Sequence, residues 1–163
     1  QGHRRIGFIS APLDDQQAGR RRQGGHLEAL ESATIAPIPG YLQHAEFSVA
    51  SGYAAMMRML DESTAPPTAV ATASDLIAIG AMRALRDSGF QVPRDVSLFG
   101  FDDIPVCSKL VPSLSSVWLD FYELGEACSD LLYRMIGRGA TQVERVVLGH
   151  RLNIRESTQA AGG

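Results

Sequence analysis

Between Thr68 and Phe99 an apolar run, a capped amphipathic segment and a second apolar run follow one another almost without linker, and no other stretch limits the possible folds as sharply. Thr68-Ala69-Val70-Ala71-Thr72-Ala73 reads as a strand entered through Pro66-Pro67. Ser74 is a good helix N-cap, and Asp75 suits a first turn, where the helix dipole favours an acid. Ile77, Ala78, Ala81, Met82 and Leu85 recur at helical spacing and form the expected buried stripe. Gly89 is a natural residue just beyond the helix end, and Val96-Ser97-Leu98-Phe99 is the next strand.

The same alternation extends upstream. Ile6-Gly7-Phe8-Ile9 is a short buried strand, and "RRRQGGHLEALES" follows as a helix with Leu27 and Leu30 on one side, weakened by Gly24 and Gly25. Ile35 to Leu42 is expected to be a strand, and Pro37 and Pro39 place it at a sheet edge. Ser48 caps a helix whose apolar residues Tyr53, Met56, Met57 and Leu60 recur at three and four. The order β-α-β-α-β-α-β with short connections calls for an α/β fold with a parallel, doubly wound sheet. After Pro112 comes a helix with Phe121, Leu124, Cys128, Leu131, Leu132, Met135 and Ile136 along one side, ending at Gly137–Gly139. "VVLGHRLNIRE" supplies one or two closing strands, and "STQAAGG" reads as a disordered tail.

At 163 residues the chain can bury one sizeable core or two small lobes. A net charge of -3 gives no global pull toward nucleic acid or anionic lipid. Lys109 is the single lysine among fifteen cationic residues, a bias that carries no functional weight. Cys107 and Cys128 have neither metal spacing nor a disulfide-rich context, so both are expected as reduced thiols in a cytoplasmic protein. No apolar run approaches the ~18 residues of a membrane span. "QGHRRIGFIS" enters a strand pattern without an initiator methionine, so the parent protein is expected to begin upstream.

In parallel sheets ligands collect beyond the carboxyl ends of the strands, where loops and helix N-termini converge. There the sequence places "SAPLDDQQAGRRR", Phe47, Ser74-Asp75 and Asp102-Asp103 on one rim. Each has a purely structural use as well. The aspartates could close a loop, Ser74 and Asp75 could only cap, Phe47 could staple its helix, and Arg20-Arg21-Arg22 could be a solvated face. No Walker lysine, G-x-G-x-x-G or G-x-S-x-G is present. His3, His26, His44 and His150 lack metal-ligand spacing, and Lys109 follows the acids too closely for a phosphoacceptor receiver. Neither catalytic residues, nor a metal, nor a cofactor is expected.

In sequence order "GHRRIGFISAP", an arginine before "GGHLEAL", "PPTAVATASDLIAIGAMRALRDSGFQVPRDVSLFGFDDIP", "PSLSSV", "ELGEACSDLLYRMIGRG" and "RLNIREST" resemble the lactose/galactose-repressor (LacI/GalR) family of transcription regulators. The resemblance runs over nearly the whole chain and is most specific in residues 67–103. It implies a type I periplasmic-binding-protein-like effector domain of two lobes joined by three crossing segments. Residues 1–118 correspond to the C-terminal lobe without its first strand and helix. Residues 119–150 correspond to a hinge crossing and a helix (122–137) of the other lobe, and 151–163 to a returning crossover strand and tail. The resemblance also implies a DNA-binding head upstream of this chain.

The resemblance also implies roles. The first acid of G-[YF]-D-D reaches the effector, which makes Asp102 an acceptor for sugar hydroxyls. The effector arginine is Arg22 if the glycine three residues on is Gly25, or Arg21 if it is Gly24; the register of "EAL" favours Arg22. Phe47 takes the position of an aromatic that stacks on ligand. Ser74 replaces the usual asparagine of an "N-D" pair and offers less reach. Ile79, with Val106 and Leu110, falls at a side-by-side homodimer interface, although Ile79 could equally be core. The expected partners are a small effector, a sugar with nucleobases and phosphorylated sugars open, a second copy of the chain, and operator DNA through an upstream helix-turn-helix. The alternative is a sugar-binding protein of the same fold not linked to DNA binding.

Overall fold

The computed structural model describes residues 1–138 and 145–162. Six strands, β1 (Ile6–Ser10), β2 (Leu42–His44), β3 (Ala69–Thr72), β4 (Ser97–Asp102), β5 (Ser115–Leu119) and β6 (His150–Asn153), form one sheet in the order β2-β1-β3-β4-β5-β6. From β2 to β5 the neighbours run parallel, and β6 closes the edge antiparallel to β5. The helices are α1 (Arg22–Ser32), α2 (Val49–Glu62), α3 (Asp75–Asp87) and α4 (Phe121–Arg138).

Local chemistry sets the helix ends as the sequence implies. Ser48 Oγ accepts from the Ser51 amide at 3.1 Å and Ser74 Oγ from the Ile77 amide at 3.3 Å, each satisfying an otherwise orphaned N–H. Side chains then alternate across the sheet. Phe8 stacks on His26 of α1 with ring centroids 4.9 Å apart, while its neighbour Gly7 backs onto Met59 of α2. Helix α1 therefore covers one face and α2 the other. Ile9, Met56, Met59, Ile77, Leu85, Leu98 and Leu114 are fully buried in the core.

Helices α2 and α3 cross at two glycines. A Cβ on Gly52 would collide with the Ile77 backbone, and one on Gly80 with the backbone of Val49 and Tyr53. This close crossing brings Ser48 and Ser74, the two caps, onto the same rim of the sheet.

Three expectations are corrected. Residues 35–41 do not extend; the edge strand is only Leu42–His44, because Pro37 and Pro39 lack N–H donors and the chain turns at Gly40, with φ +84°. Strand β4 runs on to Asp102, pairing Asp102 with Trp118. The segment after Glu156 is not a loose tail. Ser157 is fully buried, its hydroxyl donates to the Leu98 carbonyl and accepts from the Ser115 amide, and Ala161 N–H donates to the Gln1 carbonyl. Small polar residues imitate a disordered composition, yet here they fit tightly beside the lower half of β4. The expected helix end at Gly139 lies outside the described residues.

Helix α4 exposes its apolar side, with Phe121, Leu132, Met135 and Ile136 all at least 49% accessible. No described helix is long and apolar enough to cross a membrane.

The glycines yield a paired prediction. Gly52→Ala should destabilise the fold by about 1–3 kcal/mol through overpacking at the crossing. Gly25→Ala, where a Cβ meets nothing within 4 Å on α1, should stabilise by about 0.5–1 kcal/mol through helix propensity. Urea midpoints at unchanged slope measure both, and shifts of the same sign would contradict the packing described.

Candidate functional site

Winding reverses between β1 and β3, and the loops leaving those strands diverge to open a crevice at their carboxyl ends. Arg22, the first residue of α1, reaches into it. Its guanidinium carbon sits 3.6 Å from the centre of the Phe101 ring, one terminal nitrogen donates to the Ala73 carbonyl, and the other lies 3.6 Å from Asp102 Oδ1. One side chain thus joins α1, β3 and β4. Arg21 faces elsewhere, lining a separate cavity of about 470 Å³ with Leu119, Asp120 and Leu124. The structure brings Arg22, not Arg21, to Asp102.

The two strand-end acids have opposite surroundings. Both adopt left-handed backbone, φ +106° at Asp102 and +53° at Asp103, which non-glycine residues hold only when neighbours enforce it. Asp103 is 7% exposed and accepts two bonds from the Arg155 guanidinium, at 2.6 and 3.1 Å, and one from the Asn153 amide. It ties the returning segment to β4. Burial pushes its pKa up, but the Arg155 and Asn153 hydrogen bonds, with the charges of Arg155 and Arg151, outweigh that and hold it below the usual carboxylate range. Asp102, 26% exposed, has Arg22 as its ion-pair partner.

Asp75 is the residue whose role the sequence reading understated. Fully buried, it accepts from the Ile104 amide at 2.8 Å and from Ser116 Oγ at 2.6 Å, and Ser116 Oγ in turn accepts from the Asp103 amide at 3.1 Å. Its carboxylate lies so close to β4 that any Cβ on Gly100 would collide with it. A glycine inside an otherwise apolar strand is the signal that could have announced this approach. Buried Cys107 also hydrogen-bonds Asp75, and burial with that bond raises its thiol pKa to about 12.

Phe47 stands immediately before the Ser48 cap and is 42% exposed. A staple would need an apolar partner at the fourth helical position, which is Gly52, so the ring stays available. Ser74 is 3% exposed, and its oxygen is used in the α3 cap. Ile79 is half-buried on the outer side of α3 and outside the core cluster. It lines a groove of about 450 Å³ with Met82, Phe90, Leu110 and Val111, and Val106 is exposed nearby in sequence on the 105–109 turn. Among the described residues no cluster of three or more His, Cys, Asp or Glu side chains could hold a metal ion.

Residues 1–158 match the family described as periplasmic binding protein-like domain. The chain belongs to that family. Among curated relatives it is 39% identical over 157 residues to the HTH-type transcriptional regulator CelR of Thermobifida fusca, covering 96% of this chain and 45% of the relative. To the HTH-type transcriptional repressor CytR of Escherichia coli (strain K12) it is 37% identical over 161 residues, 98% of this chain and 46% of that one. Solved structures agree. The CelR-cellobiose complex superposes with TM-score 0.89 at 38% identity, covering 96% of this chain and 47% of that chain. The Lac repressor dimer bound to operator and the anti-inducer ONPF gives 0.88 at 33%, with 98% and 54% covered. The resemblance to LacI-type regulators read from the motifs holds, and the chain spans about half the length of the curated relatives it matches.

In this periplasmic-binding-protein-like domain, burial raises the Asp102 pKa to about 6, with Arg22 pulling it down and Asp75 pushing it up. The unfolded carboxyl ionises near the usual ~4. Below pH ~4 the group is protonated in both states; between ~4 and about 6 the unfolded carboxyl ionises while the folded one stays protonated, so stability is lost across that window and does not return above it. Asp102→Asn should therefore be the more stable protein at pH 7 by about 1–2 kcal/mol, less than the full shift implies because the group is part-solvated. That gap should close near pH 4. Thermal unfolding across pH 4–8 checks it, and a less stable Asn variant at pH 7 would show that the Arg22 pair dominates.

Proposed function

We propose that this chain is the effector-binding and dimerisation part of a LacI-type transcriptional regulator. A small polyhydroxyl effector, a sugar, docks on the rim against Arg22, Asp102 and Phe47, while the buried Ser74 hydroxyl stays in the α3 cap. Its binding shifts the DNA affinity of a helix-turn-helix head carried elsewhere in the parent protein. The observation that supports this most is Asp102. It is a part-buried carboxylate held in a strained backbone at the carboxyl end of β4, with the Arg22 guanidinium as its ion-pair partner. Such a carboxylate can accept from two adjacent hydroxyls, Arg22 can donate to a third, and Phe47 can cover an apolar sugar face. The likeness to a solved CelR-cellobiose complex supports the sugar class.

On this reading residues 1–118 are one lobe, 119–150 carry a hinge crossing and a helix that packs on a second lobe, and 151–163 return as a crossover strand. The exposed apolar side of α4 is what such a helix leaves when its lobe is elsewhere. The effector must bind one lobe arrangement better than the other, since equal binding shifts nothing. The second reading, a sugar-binding protein of this fold without a DNA-binding partner domain, uses the same rim. Operator binding by the parent protein separates the two.

Amide NMR spectra of this chain, titrated with D-ribose, D-glucose, lactose, cellobiose and cytidine, should show saturable shifts for at least one compound around Arg22, Phe47 and Asp102. Arg22→Ala and Asp102→Asn should each weaken that binding about tenfold to a hundredfold, as loss of a charged hydrogen bond implies. Shifts that persist unchanged in both variants would place the ligand elsewhere.

We also propose the groove at Ile79 and Leu110, with Val106 beside it, as the surface where two copies meet. Sedimentation velocity should show a concentration-dependent dimer that Val106→Asp with Leu110→Asp converts to monomer. A self-association indifferent to both substitutions would assign it to α4 instead.

A further inference from the structure

Resting on the effector-binding reading, we propose that Asp103 is a positioning residue for that site. It sets where the Asp102 carboxylate points by locking the turn at 102–103 to the β5–β6 pair. The ion pair between Asp102 and Arg22 spans 3.6 Å, beyond the reach of a directed hydrogen bond, so Arg22 attracts the carboxylate without fixing its direction. The backbone must therefore aim it. That backbone stands at φ +106°, which costs energy unless neighbours enforce it.

The enforcement comes one residue further on. Asp102 pairs with Trp118 at the end of the ladder between β4 and β5. Ser116 of β5 stands directly opposite Asn153 of β6. Asp103 reaches both members of that pair: its N–H donates to Ser116 Oγ at 3.1 Å, and its carboxylate accepts from the Asn153 amide. The Arg155 guanidinium closes the arrangement with bonds of 2.6 and 3.1 Å to the two Asp103 oxygens, and it also donates to the Leu114 carbonyl just before β5. The Asp103 carboxylate is 7% exposed and held by these donors, so its effect on a ligand passes through Asp102. In the chain β5 leads into α4 and β6 follows it, so a twist of this two-stranded ribbon carries Asp103 along and re-aims Asp102. A tie that served the sheet alone could sit anywhere along β5–β6. This one lands on the neighbour of the crevice-facing acid.

Asn153→Ala and Arg155→Lys test the proposal, since neither residue is placed against the effector. Carbon-13 NMR follows the Asp102 carboxyl across pH 4–8 at a temperature well below unfolding. In the parent its midpoint should lie at about 6. In Asn153→Ala the released turn lets water reach the carboxyl, and the midpoint should fall by about half a pH unit or more. Arg155→Lys keeps a cation beside Asp103 but loses the two-point hold; it should move the midpoint the same way, and it serves alone should Asn153→Ala not fold. Whichever of D-ribose, D-glucose, lactose, cellobiose and cytidine binds the parent should bind both variants about three- to tenfold more weakly. Variants that melt at lower temperature yet keep the parent midpoint and affinity would make Asp103 a structural tie only and overturn the proposal. Absence of binding by every compound would overturn the effector reading, and the midpoint would still decide whether Asp103 positions Asp102.

Discussion

The buried carboxylate of Asp75 is the contact around which the strand ends are organised. It sits in the first turn of α3, where the helix dipole favours an acid, and it fastens that helix to the Ile104 amide and to Ser116 of β5. Ser116 passes the connection to the Asp103 amide. The turn at residues 102–104 is therefore gripped from two sides, which is what allows two consecutive non-glycine residues to hold positive φ. Gly100 is required because the carboxylate occupies the space a side chain would need.

That grip explains why two aspartates stand together at the end of a buried strand. One faces inward along the fold: Asp103 binds Arg155 and Asn153 and fixes the returning segment. The other faces the crevice: Asp102 is left with Arg22 and an elevated pKa of about 6. A protein optimised for stability alone would not keep a part-buried carboxylate so poorly compensated. Functional sites commonly carry such strain and such shifted titrations.

Much of the architecture was legible because it depends on short-range rules. Capping serines, helical spacing and the Gly89 turn act within a few residues, so α2, α3 and the parallel order could be read directly. The failures share a cause. Residues 35–41 looked apolar enough to extend, but two prolines cannot donate to a ladder. Residues 157–162 looked disordered because composition says nothing about whether a serine hydroxyl meets a buried backbone group 59 residues away, as Ser157 meets Leu98.

The rim residues show the same boundary. The sequence by itself determined that Phe47, Ser74 and the Asp102-Asp103 pair lie at carboxyl ends of parallel strands, because strand direction follows from the alternation of elements. Only the tertiary structure brings Arg22 rather than Arg21 beside Asp102, since adjacent helical residues point about 100° apart and one residue of register changes the partner. It also decided which aspartate turns to the crevice, because that depends on Arg155 and Asn153 returning from about 50 residues further along the chain to hold the other. Periodicity is a local property of the chain, whereas the pairing of charges across it is settled only when the sheet closes.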